Sequence, residues 1–200
     1  MTEIEQHTAE WLALRVGRVT SSRISDLLAG GKGLTRAAYR NQIVAERLTG
    51  LPCEDGYENE HMRRGEQQEP FSRAAYEVKM GVMVDLVPFV AHPRLMAGAS
   101  PDGLVGTDGG IEMKNPMPHV HIGYLEDNRV PPKYIPQMQW AMACTERSWW
   151  DFVSYRVDLP PAARLFVCRL ERDDEWIKKT EAEVEKFLAE VDEIVARLSK

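Results

Sequence analysis

The amino-acid sequence predicts an α/β fold with a central mixed β-sheet of about five strands, N-terminal helices and a long C-terminal helix. Three observations predict it. Helical apolar spacing dominates the first 81 residues, strand-like apolar runs dominate the middle, and a helical repeat returns from about Asp174 onward. With 200 residues, 44% hydrophobic and 28% charged, the chain has the composition and size of one globular domain, residues 1–200.

Three helices are predicted within the first 50 residues from apolar spacing and capping residues. They cover residues 8–16, 20–31 and 35–50. Thr20 or Ser21 is expected to cap the second helix, which stops at the pair Gly30–Gly31. Thr35 is expected to cap the third helix, and Gly50 to end it.

A fourth helix is predicted within residues 63–81, after a polar loop at residues 51–61. Proline has no backbone N–H and is best tolerated in a first helical turn, so Pro70 places the helix start near Gln67 or Gln68. The apolar stripe of this helix consists of Phe71, Ala74, Ala75 and Val78.

The second half of the chain alternates strand-like runs with turns and a helix. The strand-like runs are residues 82–90, 94–100, 110–114, 149–157 and 164–170. The link SPDGLVGTDGG is rich in turn residues. Residues 131–145 have the pattern of an apolar helix, and residues 117–134 are predicted to form a loop up to its start.

Charge and composition exclude several functional classes. The net charge of −6 provides no global attraction for nucleic acid, so such binding needs a local basic surface or a bound cation. The sequence contains neither an apolar run long enough to span a membrane nor a basic, apolar signal peptide. The three cysteines are widely spaced, which favours neither disulfides nor a zinc knuckle, and we expect a reducing cytoplasm.

Three charged residues form the candidate catalytic group. Asp102 follows a strand in the turn Pro-Asp-Gly, and Glu112 and Lys114 lie two apart on the next strand, on the same face. Two carboxylates can hold Mg²⁺, with the backbone carbonyl of Met113 as a further ligand. An isolated Glu-x-Lys pair more often forms an ion pair on a sheet, and it is the preceding Pro-Asp that favours a metal site.

Four blocks in order resemble the phage lambda-type exonuclease and viral recombinase (YqaJ-like) family of the PD-(D/E)xK nuclease superfamily. They are EWLALRVGRVTSS (10–22), RRGEQQEP (63–70), AGASPDGLVG with GGIEMKNP (97–116) and YIPQMQWAM (134–142). The resemblance extends from about residue 10 to residue 155. It implies a restriction-endonuclease-like core.

The resemblance also implies a centre with two Mg²⁺ ions, for which Mn²⁺ can substitute. Asp102, Glu112 and the Met113 carbonyl would be ligands, and Glu69 would complete the second ion's surroundings directly or through water. Lys114 would act on the attacking water.

Two glutamines and a second glutamate complete this set. Gln137 would touch the site from its helix, whereas Gln139 is expected to be structural. Glu66 lies three residues before Glu69, so either carboxylate could face the metal.

Further positions match DNA contacts of that family. Arg15 and Ser22 would bind a DNA 5′ phosphate, because a guanidinium clamps phosphate through two hydrogen bonds and a hydroxyl adds a donor. Met62 would help to split the terminal base pair or would be an ordinary core methionine. Lys32 would contact the duplex or simply keep a loop soluble.

His119 and His121 raise a separate possibility in the predicted loop. Two histidines can ligate zinc or another transition metal, but no cysteine lies nearby, so a loop beside the incoming DNA is favoured.

The resemblance therefore implies a Mg²⁺-dependent 5′→3′ exonuclease of linear double-stranded DNA, encoded by a phage or prophage and active in a bacterial cytoplasm. It would release 5′-mononucleotides and leave 3′ tails for a single-strand annealing recombination protein. A ring-shaped homotrimer is also implied. Two alternatives are an endonuclease of the same superfamily and a catalytically inactive module that binds DNA ends.

Overall fold

Two β-sheets form the centre of the fold in the computed structural model, which describes residues 6, 8–29, 34–53 and 60–200, except for the side chains of residues 60–62 and 66. The strands are β1 (Val19–Thr20), β2 (Val84–Asp85), β3 (Val90–Ala91), β4 (Ala97–Ala99), β5 (Gly103–Val105), β6 (Gly109–Lys114), β7 (Trp149–Tyr155) and β8 (Leu165–Glu171). The larger sheet has the order β2-β5-β6-β7-β8, and the smaller one β1-β4-β3. Since β6 and β7 are parallel and the other pairs of the larger sheet antiparallel, the predicted mixed sheet is confirmed.

The helices surround these sheets. They are α1 (Ala9–Arg15), α2 (Ile24–Leu28), α3 (Leu34–Thr49), α4 (Glu60–Met80), α5 (Pro118–Asp127), α6 (Ile135–Thr145) and α7 (Asp174–Leu198). The predicted C-terminal helix is confirmed, and its N-cap Asp173 accepts a hydrogen bond from the Trp176 N–H. Within the described residues, no helix is long and apolar enough to cross a membrane.

The predicted caps of the N-terminal helices are partly wrong. Thr20 lies in β1 before a 3₁₀ turn, Ser21–Arg23, and its side chain makes no capping hydrogen bond. Thr35 lies inside α3, and Gly30–Gly31 lie outside the described residues. Gly50 does end α3: its φ is +68°, a conformation that glycine adopts without strain, and its N–H bonds the Glu46 carbonyl.

The predicted start and buried face of α4 are both wrong. The helix is already formed at Glu60, so Pro70 lies in its interior. The predicted loop 51–61 therefore extends too far, because Glu60 is already helical. The buried side chains are Ser72 and Tyr76, while Phe71 and Val78 are 64% and 85% exposed. Packing against the sheet, and not the apolar stripe, determines which face is buried.

Segments rich in turn residues contain regular structure that the sequence analysis missed. The run 82–90 divides into β2 and β3, which belong to different sheets, and β5 lies within the predicted turn region. Much of the predicted loop 117–134 is helix α5, which starts with Pro118 at its first turn and ends at Asn128 with φ of 47°.

The two faces of β6 pack against different helices. Ile111 and Met113 join Tyr76 of α4 in a small apolar cluster. On the other face lies the main core, in which α3, α6 and α7 pack with Trp150 and Phe152 of β7. A Cβ on Gly110 would come within 2.3 Å of the Trp150 ring, so this position needs glycine.

Candidate active site

Glu112 and Lys114 lie side by side on the α6 face of β6. The Lys114 Nζ is 2.6 Å from the Glu112 Oε1, and the Glu112 residue is 2% exposed. Gln137 of α6 donates from Nε2 to the same oxygen at 2.7 Å. The alternation of the strand therefore places the carboxylate and the ammonium together, and α6 contributes the predicted glutamine.

Asp102 reaches the same place from the segment that precedes β5. Its Oδ2 accepts a hydrogen bond from the backbone N–H of Met113 at 2.5 Å. Because β5 pairs with β6, this bond holds the Asp102 carboxylate beside the strand that carries Glu112 and Lys114. The structure thus brings together the three residues that the sequence analysis grouped.

The two carboxylates carry charge that the protein compensates only in part. Burial raises the pKa of Asp102 to about 6, against the attraction of Lys114. Burial likewise raises the pKa of Glu112 to about 7, and the negative charge of Asp102 adds to the rise. Burial lowers the pKa of Lys114, but the two carboxylates outweigh it and the net shift is upward. Lys114 therefore remains charged.

This donor set suits a divalent metal ion. A hard ion such as Mg²⁺ prefers carboxylate oxygens and would supply the positive charge that Lys114 alone does not. Glu69 of α4 is near enough to raise the pKa of Asp102. In the part of the chain that the structure describes, however, no three His, Cys, Asp or Glu side chains converge to hold a metal, and the Glu66 side chain is not described.

Arg15 lies in a basic recess and contacts Ser100, two residues before Asp102 in the chain. Its Nη1 is 3.4 Å from the Ser100 Oγ, which also accepts a hydrogen bond from the Trp11 indole at 3.0 Å. The recess is also lined by Arg18, Thr20 and Arg23. The predicted partner Ser22 lies beside it, with its hydroxyl 3.4 Å from that of Thr20.

The remaining predicted DNA contacts are not located by the structure. Met62 belongs to α4, but its side chain is not described. Lys32 lies outside the described residues.

The histidine pair is not arranged as a metal site. His121 is buried in α5, and its two ring nitrogens contact the Ser154 hydroxyl at 2.7 Å and the Ala163 carbonyl at 2.8 Å. His119 lies on the exposed surface of the same helix. Both ring nitrogens of His121 are thus engaged within the protein and His119 lies on the surface, so the two side chains do not form the ligand pair that a transition-metal site would need.

Gln139 is structural, as predicted. It is buried, donates to the Glu171 carbonyl at 2.8 Å and accepts from the Asp173 N–H at 2.9 Å. It thereby joins α6 to the end of β8 and to the start of α7.

Three residues near the centre were not predicted from the sequence. Ser100 contacts Arg15, the Lys114 ammonium lies 5.5 Å from the Tyr134 ring centroid, and Asn115 bonds the backbone of α4. All three lie within the motif blocks quoted above, so their position in the sequence was a signal that could have identified them. As single residues, however, they form no periodic spacing that predicts a role.

Comparison with known families supports the assignment of the fold and gives the family. A profile of the YqaJ-like viral recombinase domain matches residues 10–148 of this chain. Among curated proteins, none matches it significantly.

Solved structures extend the similarity to nearly the whole chain. An alkaline exonuclease from Laribacter hongkongensis, LHK-Exo, is 42% identical over 96% of both chains, with a TM-score of 0.88. LHK-Exo in complex with dAMP is 43% identical over 96% of both chains, with a TM-score of 0.89. A phage-related exonuclease from Haemophilus somnus 129PT is 15% identical, covers 90% of this chain and 96% of its own, has a TM-score of 0.68, and shows the shared fold alone.

Proposed function

Because this chain belongs to the YqaJ-like viral recombinase family, we propose that it is a Mg²⁺-dependent 5′→3′ exonuclease acting on the ends of double-stranded DNA. It releases 5′-mononucleotides and leaves 3′ single-stranded tails for an annealing recombination protein. One observation carries the proposal: Asp102, Glu112 and Lys114 are held together at a partly buried site with an incompletely compensated negative charge.

Asp102 and Glu112 would hold Mg²⁺, and the Met113 carbonyl and Glu69 are further candidate ligands. Such an ion, when bound, stabilises charge on a phosphoryl oxygen and makes water more acidic. Gln137 keeps the Glu112 carboxylate oriented through its 2.7 Å hydrogen bond. Lys114 carries a positive charge beside the same carboxylate, from where it can orient the attacking water and stabilise the phosphate.

The 5′→3′ direction is supported by the recess around Arg15. A guanidinium and neighbouring hydroxyls suit a terminal phosphate; Thr20 lines the recess, and the Ser22 hydroxyl lies 3.4 Å from that of Thr20. Ser100, two residues before Asp102, contacts Arg15 and so joins the recess to the metal site along a short stretch of chain. A 5′ phosphate bound at Arg15 would thus place the first nucleotides of that strand near the proposed site of cleavage. LHK-Exo binds dAMP, a nucleotide of the kind that such a reaction releases.

A homotrimeric ring is a further part of the proposal. Phe71, Ala74 and Val78 form an exposed apolar stripe on α4, and such patches are typical of protein interfaces. A ring around DNA would allow grip despite a net charge of −6. Light scattering coupled to size-exclusion chromatography should give the mass of three chains. Val78→Asp places a charge on this stripe and should lower the measured mass of the assembly.

The decisive experiment uses a linear duplex labelled at either the 5′ or the 3′ end, incubated with and without Mg²⁺. We expect early release of the 5′ label as a mononucleotide, only with Mg²⁺, and faster from 5′-phosphorylated than from 5′-hydroxyl ends. Arg15→Ala should remove the preference for phosphate. Cleavage of a closed circular duplex would instead indicate the endonuclease, and Mg²⁺-independent end binding without digestion would indicate the inactive module.

A further inference from the structure

Asn115, the residue that follows β6, joins the strand of Glu112 and Lys114 to helix α4. Its Nδ2 donates to the Gly65 carbonyl at 3.1 Å. Its Oδ1 accepts from the Ser72 hydroxyl at 2.5 Å. One side chain therefore contacts the helix at two points that are two turns apart.

The two contact points lie on either side of Glu69. Gly65, Glu69, Ser72 and Tyr76 follow one another at intervals of four, three and four residues, which places them along one face of α4. Ser72 and Tyr76 are fully buried on that face. Asn115 thus holds the turn before Glu69 and the turn after it.

Pro70 makes this stretch of α4 dependent on such contacts. Proline provides no N–H to the preceding turn, and its ring pushes against the carbonyl four residues earlier, so the helix is weakened next to Glu69. The Ser72 hydroxyl also contacts the Gln68 carbonyl at 3.0 Å. Arg64 adds a contact from the same helix to the Met117 sulfur at 3.0 Å.

We propose that Asn115 is a positioning residue that sets the location of Glu69 relative to Asp102, and thereby the affinity of the centre for its divalent ion. This inference rests on the proposed function for the identity of the ion. In this role Asn115 acts through α4 and Glu69 and is not itself a ligand of the ion.

The test measures binding of Mn²⁺ to the full chain without DNA, by the electron paramagnetic resonance signal of free Mn²⁺. Asn115→Ala, Glu69→Gln and the double variant are compared with the wild type. We expect Asn115→Ala to weaken binding by about tenfold, as loss of a residue supporting a metal ligand commonly does. The double variant should bind no more weakly than Glu69→Gln alone, because both changes remove the same contribution.

Tyr76→Phe is the matched control. It deletes a different polar link of α4, the 2.8 Å hydrogen bond to Asp151, which lies on the same face one turn beyond Ser72. It should lower the unfolding temperature without changing Mn²⁺ affinity. If Asn115→Ala fails to fold, Ser72→Ala replaces it in the test. This variant removes one of the two contacts of Asn115 with α4, and it should weaken Mn²⁺ binding by about threefold.

Unchanged binding in Asn115→Ala, an equal loss in Tyr76→Phe, or additive losses in the double variant would each overturn the inference. The failure of the proposed function is distinguishable, since it appears in the wild type as absence of Mg²⁺-dependent digestion of duplex DNA. If the wild type digests DNA but the effects of Asn115→Ala and Glu69→Gln on Mn²⁺ binding are independent, only the proposed role of Asn115 is rejected and the proposed function stands.

Discussion

Two buried carboxylates on adjacent strands have opposite surroundings. Asp151 of β7 and Glu112 of β6 are 1% and 2% exposed and lie on opposite faces of the larger sheet. Asp151 receives two hydrogen bonds from the Arg169 guanidinium, at 2.8 and 3.0 Å, and one from the Tyr76 hydroxyl at 2.8 Å. Its charge is fully matched by the protein.

Glu112 is compensated differently. Lys114 and Gln137 both approach the same oxygen, while the negative charge of Asp102 opposes its ionisation and burial raises its pKa to about 7. A carboxylate saturated by protein donors holds a fold together, whereas one left short of positive charge can accept an ion from solution. The comparison predicts which substitutions affect chemistry and which affect stability.

The largest effect is expected from Glu112→Gln. Since the amide cannot replace a charged ligand, the rate of duplex digestion should fall by a factor of about 10⁴, on the order of 5 kcal/mol in the barrier. The unfolding temperature should not fall. Glu126→Gln, at an exposed position of α5, is the control and should digest DNA at the wild-type rate. Retained activity in Glu112→Gln would remove this residue from the proposed centre.

Asp151→Asn should have the opposite profile. It leaves Arg169 and Tyr76 without their shared carboxylate and should lower the free energy of unfolding by about 3 kcal/mol. Urea denaturation measures this loss. Digestion per folded molecule should stay within about twofold of wild type, because Asp151 lies on the other face of the sheet. Loss of activity without loss of stability would erase the distinction between the two carboxylates.

Asp102→Asn should stabilise the metal-free protein at pH 8. The folded pKa of about 6 lies above the ordinary value of 3.8, so ionised Asp102 favours the unfolded chain once the pH exceeds that ordinary value. Asparagine can still accept the Met113 N–H without the charge, and we expect a gain of about 2 kcal/mol. The gain should shrink as pH falls from 6 toward 4 and vanish below. Thermal unfolding in EDTA across this range tests the sign, and added Mg²⁺ should reduce the advantage.

Arg169→Lys should give the smallest change. The Arg169 guanidinium stacks on the Trp149 ring at 3.5 Å and grips Asp151 with two donors, and lysine cannot reproduce that planar geometry. A loss of about 1 kcal/mol in unfolding free energy is expected. When Asp151→Asn is already present, Arg169→Lys should lower the free energy of unfolding by much less. Equal costs in both backgrounds would show that the guanidinium does not act through Asp151.

The sequence predicted the central chemistry because its spacing follows from strand geometry. Glu112 and Lys114 share a face of β6, and a hairpin brings Asp102 beside them. The apolar repeat of three or four residues likewise predicted α7. These signals are periodic or local, so they do not depend on contacts with distant parts of the chain.

Other features depended on contacts that no local pattern contains. The apolar stripe of α4 suggested a buried face, yet the face that packs on the sheet carries Ser72 and Tyr76, whose hydroxyls donate to Asn115 and Asp151 of distant segments. Pro70 suggested a helix start, yet the helix continues through it. Helix α5 was missed since its histidines and flanking prolines resemble a loop, while burial of His121 against Ser154 stabilises it.

The parallel pairing of β6 with β7 has a consequence for how the chain folds. The connection between them spans residues 115–148 and includes α5 and α6, so their pairing is a non-local contact that carries the entropy cost of closing a long segment. Gln137 belongs to that segment, and Glu112 therefore gains this partner only when the segment has packed against β6. A chain emerging from the ribosome exposes its Glu-x-Lys strand well before this crossover closes. The proposed centre is thus complete only in a chain that has closed this crossover, because Glu112 lies on one side of it and Gln137 within it.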